Sequence, residues 1–212
     1  MSAERIIGLP DSSVAADLSA HVRAARAFVD GPSPGPVDHG TAIARIILHH
    51  APNAPLLDAR VFGERHRTTP ELVAAGLDWL REEGARVVNM SFGLRNDRAV
   101  LRHAIAAAHA AGMILVASVP VRGPIVYPGA YAGVIRVSGD TRCAPGEVSA
   151  LGGDPADYGA CPQDTEGRPG GASFAAAHVT GLLACHLSGS EHGARVLLDR
   201  LARIHGRERR LA

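Results

Sequence analysis

The segment GGASFAAAHVTG, Gly170 to Gly181, places a hydroxyl, Ser173, where two glycines and an alanine give way to an apolar run. That pattern puts Ser173 at the start of a helix, where unpaired backbone N–H groups and the positive end of the helix dipole favour negative charge developing nearby. Acyl transfer needs such a place when a hydroxyl attacks a carbonyl. Read alone, the same serine is a helix cap. Two other residues have types suited to the same chemistry: His39, in DHGTAIA, as a base, and Asp11, in GLPDSSV, as the carboxylate that orients it. Singly, these too have plainer readings, a helix-start histidine with one satisfied hydrogen bond and a capping aspartate.

Only the fold could bring three such distant residues together. Short β-rich apolar runs alternate with longer Ala-rich helical patterns, which predicts βαβ units and a parallel sheet covered on both faces, an α/β fold. RIIGLP reads as the first strand, Val14 to Val29 as a helix, PSPGPVDHG as a Pro/Gly-rich loop, TAIARIILHH as a helix and PLLDARVF as a strand. Thr68 and Glu71 form a capping-box pair around Pro70, opening a helix that runs to about Glu83 and stops at Gly84. RVVNMSFG is a buried strand ending in a turn, Arg98 to Ala111 a helix closed by Gly112, and MILVAS and GVIRVSG are further strands. Beyond Gly139 the chain reads as loop-rich up to the Ser173 helix, and a last amphipathic helix spans about Glu191 to Ile204. With 212 residues, no internal repeat and no linker, residues 1–212 read as a single domain.

Composition removes several function classes. A net charge of +1 steers no polyanion, so nucleic acid is not an expected partner. MSAERIIGLP has no secretory pattern, and no apolar run is long enough to span a bilayer, so no membrane association is expected either. Cys143, Cys161 and Cys185 are an odd, widely spaced set without metal or redox spacing, read as buried free thiols in a reducing cytoplasm. His49 and His50 are adjacent on a helix and do not share a face, and no acidic loop suits calcium, so no metal and no other cofactor is expected. Asp38 and Asp58 read as solvated or locally hydrogen-bonded, and Arg207, Arg209 and Arg210 as a solvated tail.

The segments GLPDSSV (8–14), DHGTAIA (38–44), VVNMSFG (87–93) and GGASFAAAHVTG (170–181), with VYPGAYAGVIRVSG (126–139) as a fifth, follow one another in the chain order Asp, His, Ser. In that order they resemble the signature segments of subtilisin-like serine peptidases, and the resemblance covers nearly the whole chain. It implies a three-layer α/β fold with a mostly parallel central sheet, in which Ser173 attacks, His39 takes its proton and Asp11 holds the imidazole in the productive tautomer. Ser13 stands where the family pattern has Gly.

A second departure bears on activity. Where the family has an Ala-Gly-Asn turn whose side-chain amide helps bind the oxyanion, this chain has Ser118, Val119 and Pro120. Proline offers neither a side-chain donor nor a backbone N–H. The oxyanion region is then left with the Ser173 backbone N–H and whatever Arg122 or a loop amide adds. Val119 takes the family's glycine position beside the pocket for the residue before the scissile bond, so small residues are expected there. Ser91, Phe92 and Gly93 are expected to pair with the substrate backbone as an added strand. The loop GERHRT, Gly63 to Thr68, looks shorter than the family's and charged, which predicts a narrow groove with polar recognition. The first strand begins almost at Met1, with no prosequence before it, so folding is expected to be unaided or to need a protein partner. The expected function is a cytoplasmic serine endopeptidase of restricted specificity that matures one polypeptide or precursor peptide. The alternative is a catalytically impaired pseudoprotease that holds a peptide or partner protein without cutting it.

Overall fold

Four strands with no polar alternation form the middle of one sheet, as expected of strands that have helices on both faces and no solvated side. These are β1 (Ile7–Asp11), β3 (Leu56–Arg60), β4 (Val87–Met90) and β5 (Ile114–Ser118), buried almost throughout. The computed structural model describes residues 5–30, 38–63, 66–186 and 191–206. In it, β2 (Val22–Ala27), β6 (Val134–Gly139), β7 (Val148–Ala150), β8 (Tyr158–Ala160) and β9 (Ala202–His205) complete the order β2-β3-β1-β4-β5-β6-β8-β7-β9. Every neighbouring pair is parallel except β7 with β8.

Successive strand residues face opposite layers. Val88, Leu115 and Ala117 pack on Val73, Leu77 and Leu80 of α2 (Pro70–Glu82) and on Leu101 and Ile105 of α3 (Ala99–Ala110). Val87, Ile114 and Val116 face Val179, Leu182 and Leu183 of α4 (Gly171–His186) and Leu198 of α5 (Glu191–Leu201). Ile7 and Leu9 of β1 face Ile43, Ile46 and Ile47 of α1 (His39–His50) on that same side. The result is a three-layer α/β molecule, with α4 buried along most of its length. Among the described residues no helix is long and apolar enough to cross a membrane.

The helices α1 and α4 touch closely. A Cβ on Gly181 would stand 2.9 Å from the Ile47 carbonyl oxygen and 3.0 Å from the His50 Cβ, so glycine sets their spacing. A histidine pair crosses this contact. The fully buried His178 donates from Nε2 to the Gln163 carbonyl at 2.8 Å, leaving its Nδ1 to accept from His50 Nε2 at 2.7 Å. The acceptor Nδ1 requires His178 to be neutral, while His50 donates from Nε2. Burial first, then the positive potential of His178, His49 and His186, pushes His50 down to about 4, and burial also lowers His178. A depressed histidine stabilises the fold fully above its ordinary value of 6.5 and loses that contribution as pH falls toward the folded value. Unfolding free energy should therefore decline between those limits, by on the order of 2 kcal/mol after solvent screening. In denaturant titrations His50→Gln, which can still donate to His178 but does not titrate, should flatten the decline; equal slopes in both proteins would disprove the link.

Several elements differ from expectation. The helix expected over Val14 to Val29 is instead a short 3-10 helix, Ala16–His21, followed by the edge strand β2. Alanine and arginine favour a helix locally, but here the open edge of β3 takes the segment as a parallel strand. The last helix ends at Leu201 rather than Ile204, because Ala202–His205 pairs with β7. The stretch after Gly139 holds the three-residue strands β7 and β8. Thr69, not Thr68, caps α2: its hydroxyl accepts from Leu72 N–H, while Thr68 donates to the Val61 carbonyl at 2.7 Å. All three cysteines are free, but Cys185 is exposed rather than buried. Burial pushes the Cys143 thiol up to about 11. Arg207, Arg209 and Arg210 lie outside the described residues.

Candidate active site

The sheet order reverses between β1 and β4, since β3 and β2 lie on one side of β1 and β4 to β6 on the other. In open α/β sheets a crevice forms at the carboxyl ends of the strands at such a point. Asp11 closes β1 there, buried, and Ser91 follows the last residue of β4.

His39 is delivered by the first turn of α1. Asp38 caps that helix by accepting from His39 N–H at 2.8 Å, and also accepts the Ser12 hydroxyl at 3.0 Å. Ser12 in turn accepts from Gly40 N–H at 3.0 Å. Ser12 thus ties the loop after β1 to the start of α1. Gly40 is required, because a Cβ there would run into the Ser13 carbonyl oxygen. Ser13 itself has φ 102, a conformation costing a non-glycine residue roughly 1–3 kcal/mol, which explains why glycine suits that position. Asp58 holds the turn by accepting from the Ser13 hydroxyl and from Val14 N–H at 3.1 Å. Asp38 is therefore bonded to its neighbour His39 and to Ser12, whereas Asp58 is buried and bonded to Ser13 and Val14, residues remote in the chain, rather than locally.

The imidazole Nδ1 of His39 donates to both carboxylate oxygens of Asp11, at 2.9 and 3.1 Å. Its Nε2 is then the free base. Burial alone lowers the His39 pKa, but the hydrogen bond and charge of Asp11, with Asp38 beyond, outweigh it and hold the ring above 6.5.

Ser173 lies in the first turn of α4 and is clamped to Ser91 in both directions. The Ser173 hydroxyl donates to the Ser91 carbonyl at 3.0 Å, and the Ser91 hydroxyl donates to the Ser173 carbonyl at 3.1 Å. Behind them the buried Asn89 donates to the Ser91 hydroxyl at 2.7 Å and accepts from Thr180 at 3.0 Å. Gly170 and Gly171 N–H groups both donate to the Pro162 carbonyl at 2.9 Å, whereas Ser173 N–H has no backbone acceptor among the described residues. Asp11, His39 and Ser91 line one cleft of about 240 Å³, with Phe62, His66 and Phe92. Asp11 and His39 are thus joined directly, while Ser173 reaches their cleft through Ser91. No hydrogen bond joins Ser173 to His39 among the described residues; handing over its proton requires the hydroxyl to leave Ser91 for another staggered rotamer.

A sequence model described as the Subtilase family matches residues 30–198. The chain belongs to the subtilase family. It is similar to subtilisin DY of Bacillus licheniformis, 28% identical over 208 residues, covering 86% of this chain and 76% of that protein. It is 30% identical to subtilisin BL of Lederbergia lenta over 145 residues, covering 62% of this chain and 54% of that one. The solved structure titled S41 Psychrophilic Protease shares the fold with a TM-score of 0.73 at 21% identity, over 92% of this chain and 82% of its own. As a subtilase, the protein is a serine endopeptidase. Asp11 precedes the matched residues, so its place beside His39 rests on the geometry above.

In the wall of the cleft Phe62 and Phe92 stack at 5.3 Å, and His66 lies 6.5 Å from His39, ring centre to ring centre; Glu64 and Arg65 of the charged 63–68 loop lie outside the described residues. Leu94 pairs antiparallel with Tyr127, leaving Phe92 and Gly93 without backbone partners among the described residues. Val119 is buried, and its Cγ1 stands 2.5 Å from where a Cβ on Gly129 would lie. Val126 Cγ2 stands 2.7 Å from the same point on Gly93. Two valines therefore close onto two glycines, Val126 onto Gly93 and Val119 onto Gly129. Pro120 follows Val119 directly. Sequence reasoning did not single out Ser12, Asn89, Phe62, His66 or Thr180; the polar Asn89 inside an otherwise apolar strand is the one local signal that marks such a residue.

Proposed function

We propose that this subtilase cleaves one selected polypeptide or precursor peptide after a small residue, with Ser173 as nucleophile, His39 as general base and Asp11 as its orienting carboxylate. The observation that carries the assignment is the His39–Asp11 hydrogen bond in a cleft that also contains Ser91, the partner of Ser173. Ser173 Oγ attacks the carbonyl as His39 Nε2 takes its proton; the imidazolium is stabilised by Asp11 and then protonates the leaving amine. Water repeats the sequence on the acyl-enzyme. The developing oxyanion is met by the free Ser173 N–H at the start of α4. Pro120 adds no donor. Losing one oxyanion donor costs about 10²–10³ in turnover, roughly 3–4 kcal/mol, a magnitude measured in subtilisin itself. The missing amide is also what favours a second reading, a pseudoprotease that binds a peptide or partner protein without cutting it. A cytoplasmic location is part of the proposal, supported by three free thiols of the kind a reducing compartment maintains.

Restriction to small residues follows from Val119 and Val126, which occupy space beside Gly93 and Gly129. In a library of peptides varied at the residue before the scissile bond, Gly and Ala should exceed Phe and Leu by about 100-fold in kcat/KM. Val119→Gly should narrow that gap by admitting larger side chains. A wild-type preference for aromatic residues would contradict the proposal.

A further inference from the structure

A second cavity, of about 520 Å³, opens at the carboxyl ends of β5 and β6, with Val121, Arg122, Ser138, Gly139, Asp140 and Arg142 in its wall. It lies farther along the sheet than the cleft of Asp11 and His39, which gathers at the ends of β1, β3 and β4. It also abuts the catalytic helix. Gly139 backs onto the first turn of α4, where a Cβ would stand 3.5 Å from the Gly171 carbonyl carbon and 3.6 Å from the Ala172 nitrogen. Arg122 follows Pro120 by two residues.

The charge in this wall is unbalanced. Arg142 is committed to Asp140, at 2.9 and 2.7 Å, and to the Gly206 carbonyl at 2.8 Å. Asp140 also accepts the Ser149 hydroxyl at 2.6 Å, so this acid and base neutralise one another. Arg122 is exposed and makes no hydrogen bond or ion pair with a described residue. One net positive charge in a concave wall suits a carboxylate, which accepts from the guanidinium.

We propose that a polypeptide whose acyl side lies along Phe92 and Gly93 runs its leaving side into this cavity, where Arg122 selects a carboxylate. The inference rests on Ser173 being the nucleophile. It assigns Arg122 to substrate selection and not to the oxyanion.

The test compares long, C-terminally amidated peptides carrying Glu or Gln on the leaving side, and short peptides ending there as the free acid or the amide. The first pair reads a side-chain carboxylate, the second a chain terminus. The acid member of at least one pair should be favoured by about 5–10-fold in kcat/KM, with the preference fading as salt is raised. In Arg122→Ala the ratio should fall to about 1, and Arg122→Glu should turn it toward Lys-containing peptides. The same ratios should appear in binding of these peptides to Ser173→Ala protein by fluorescence anisotropy. An acid-to-neutral ratio near 1 in wild type overturns the inference. So does an Arg122→Ala protein that loses the same factor on every peptide, the behaviour of an oxyanion donor. Failure of wild type to cut any peptide refutes the nucleophile assignment, while the binding ratio still decides whether Arg122 reads a carboxylate.

Discussion

Ser173→Ala should lower kcat by about 10⁶-fold, the magnitude found for the corresponding change in subtilisin, while leaving the protein folded. The side chain removed makes one hydrogen bond, to the Ser91 carbonyl, whose loss costs about 1 kcal/mol. The supporting contacts survive, because Ser91 donates to the Ser173 backbone carbonyl and Asn89 and Thr180 lie behind it. Activity falls because no other group in the first turn of α4 offers an oxygen nucleophile, and without it the His39–Asp11 pair has no proton to take. A fluorophosphonate probe reads the same point covalently. Wild type should be labelled, and Ser173→Ala and His39→Ala should not. Labelling that persists in Ser173→Ala would remove this serine from the mechanism, and an unlabelled but folded wild type would favour the pseudoprotease, in which the empty donor position at Pro120 has cost the enzyme its chemistry.

Asp11→Asn should lower kcat by about 10⁴-fold and displace the pH profile toward acid. The asparagine keeps the shape of the carboxylate, but its amide can pair with the wrong tautomer, turning Nε2 from acceptor to donor. The pH effect has a definite sign. His39 must be neutral to act, so wild-type kcat/KM should rise with pH through a midpoint above 6.5, the value from which Asp11 and Asp38 raise it against burial. Removing Asp11 deletes the leading favourable contributions and leaves burial in place, moving the midpoint down. The same pair bears on stability. A histidine with a raised folded pKa contributes fully below 6.5 and loses that contribution as pH climbs through the folded value. The difference in thermal midpoint between wild type and Asp11→Asn should accordingly be larger at pH 6 than at pH 9. A variant whose profile superimposes on wild type, scaled or not, would show that Asp11 does not govern the imidazole.

The three free thiols and the Arg122 cavity bear on where and on what such an enzyme acts, whereas the two substitutions above test whether it acts at all. An intact clamp between Ser91 and Ser173 is common to both readings of the protein, which is why covalent labelling separates them better than any measure of folding.

The amphipathic periods of α1, α2 and α3, the apolar runs of β1, β3, β4, β5 and β6, and the motifs around Asp11, His39 and Ser173 were all legible in the chain, because each is a property of neighbouring residues. Val119 and Pro120 were legible for the same reason, since residue type at one position is read directly from the chain. The misread segments share a different cause. Composition is not what makes β2 a strand, since VRAARA favours helix by itself and becomes β2 only by pairing with the exposed edge of β3; ARIH becomes β9 against β7 in the same way. Tertiary structure alone decided that Ser12 couples β1 to α1, that Asn89 and Thr180 brace the Ser91–Ser173 clamp, that Val126 closes onto Gly93 as Val119 does onto Gly129, and that Phe62 lies in the wall of the cleft. Each of these is a contact between residues remote in the chain, set by how strands and helices pack, and no local pattern of residue types encodes it.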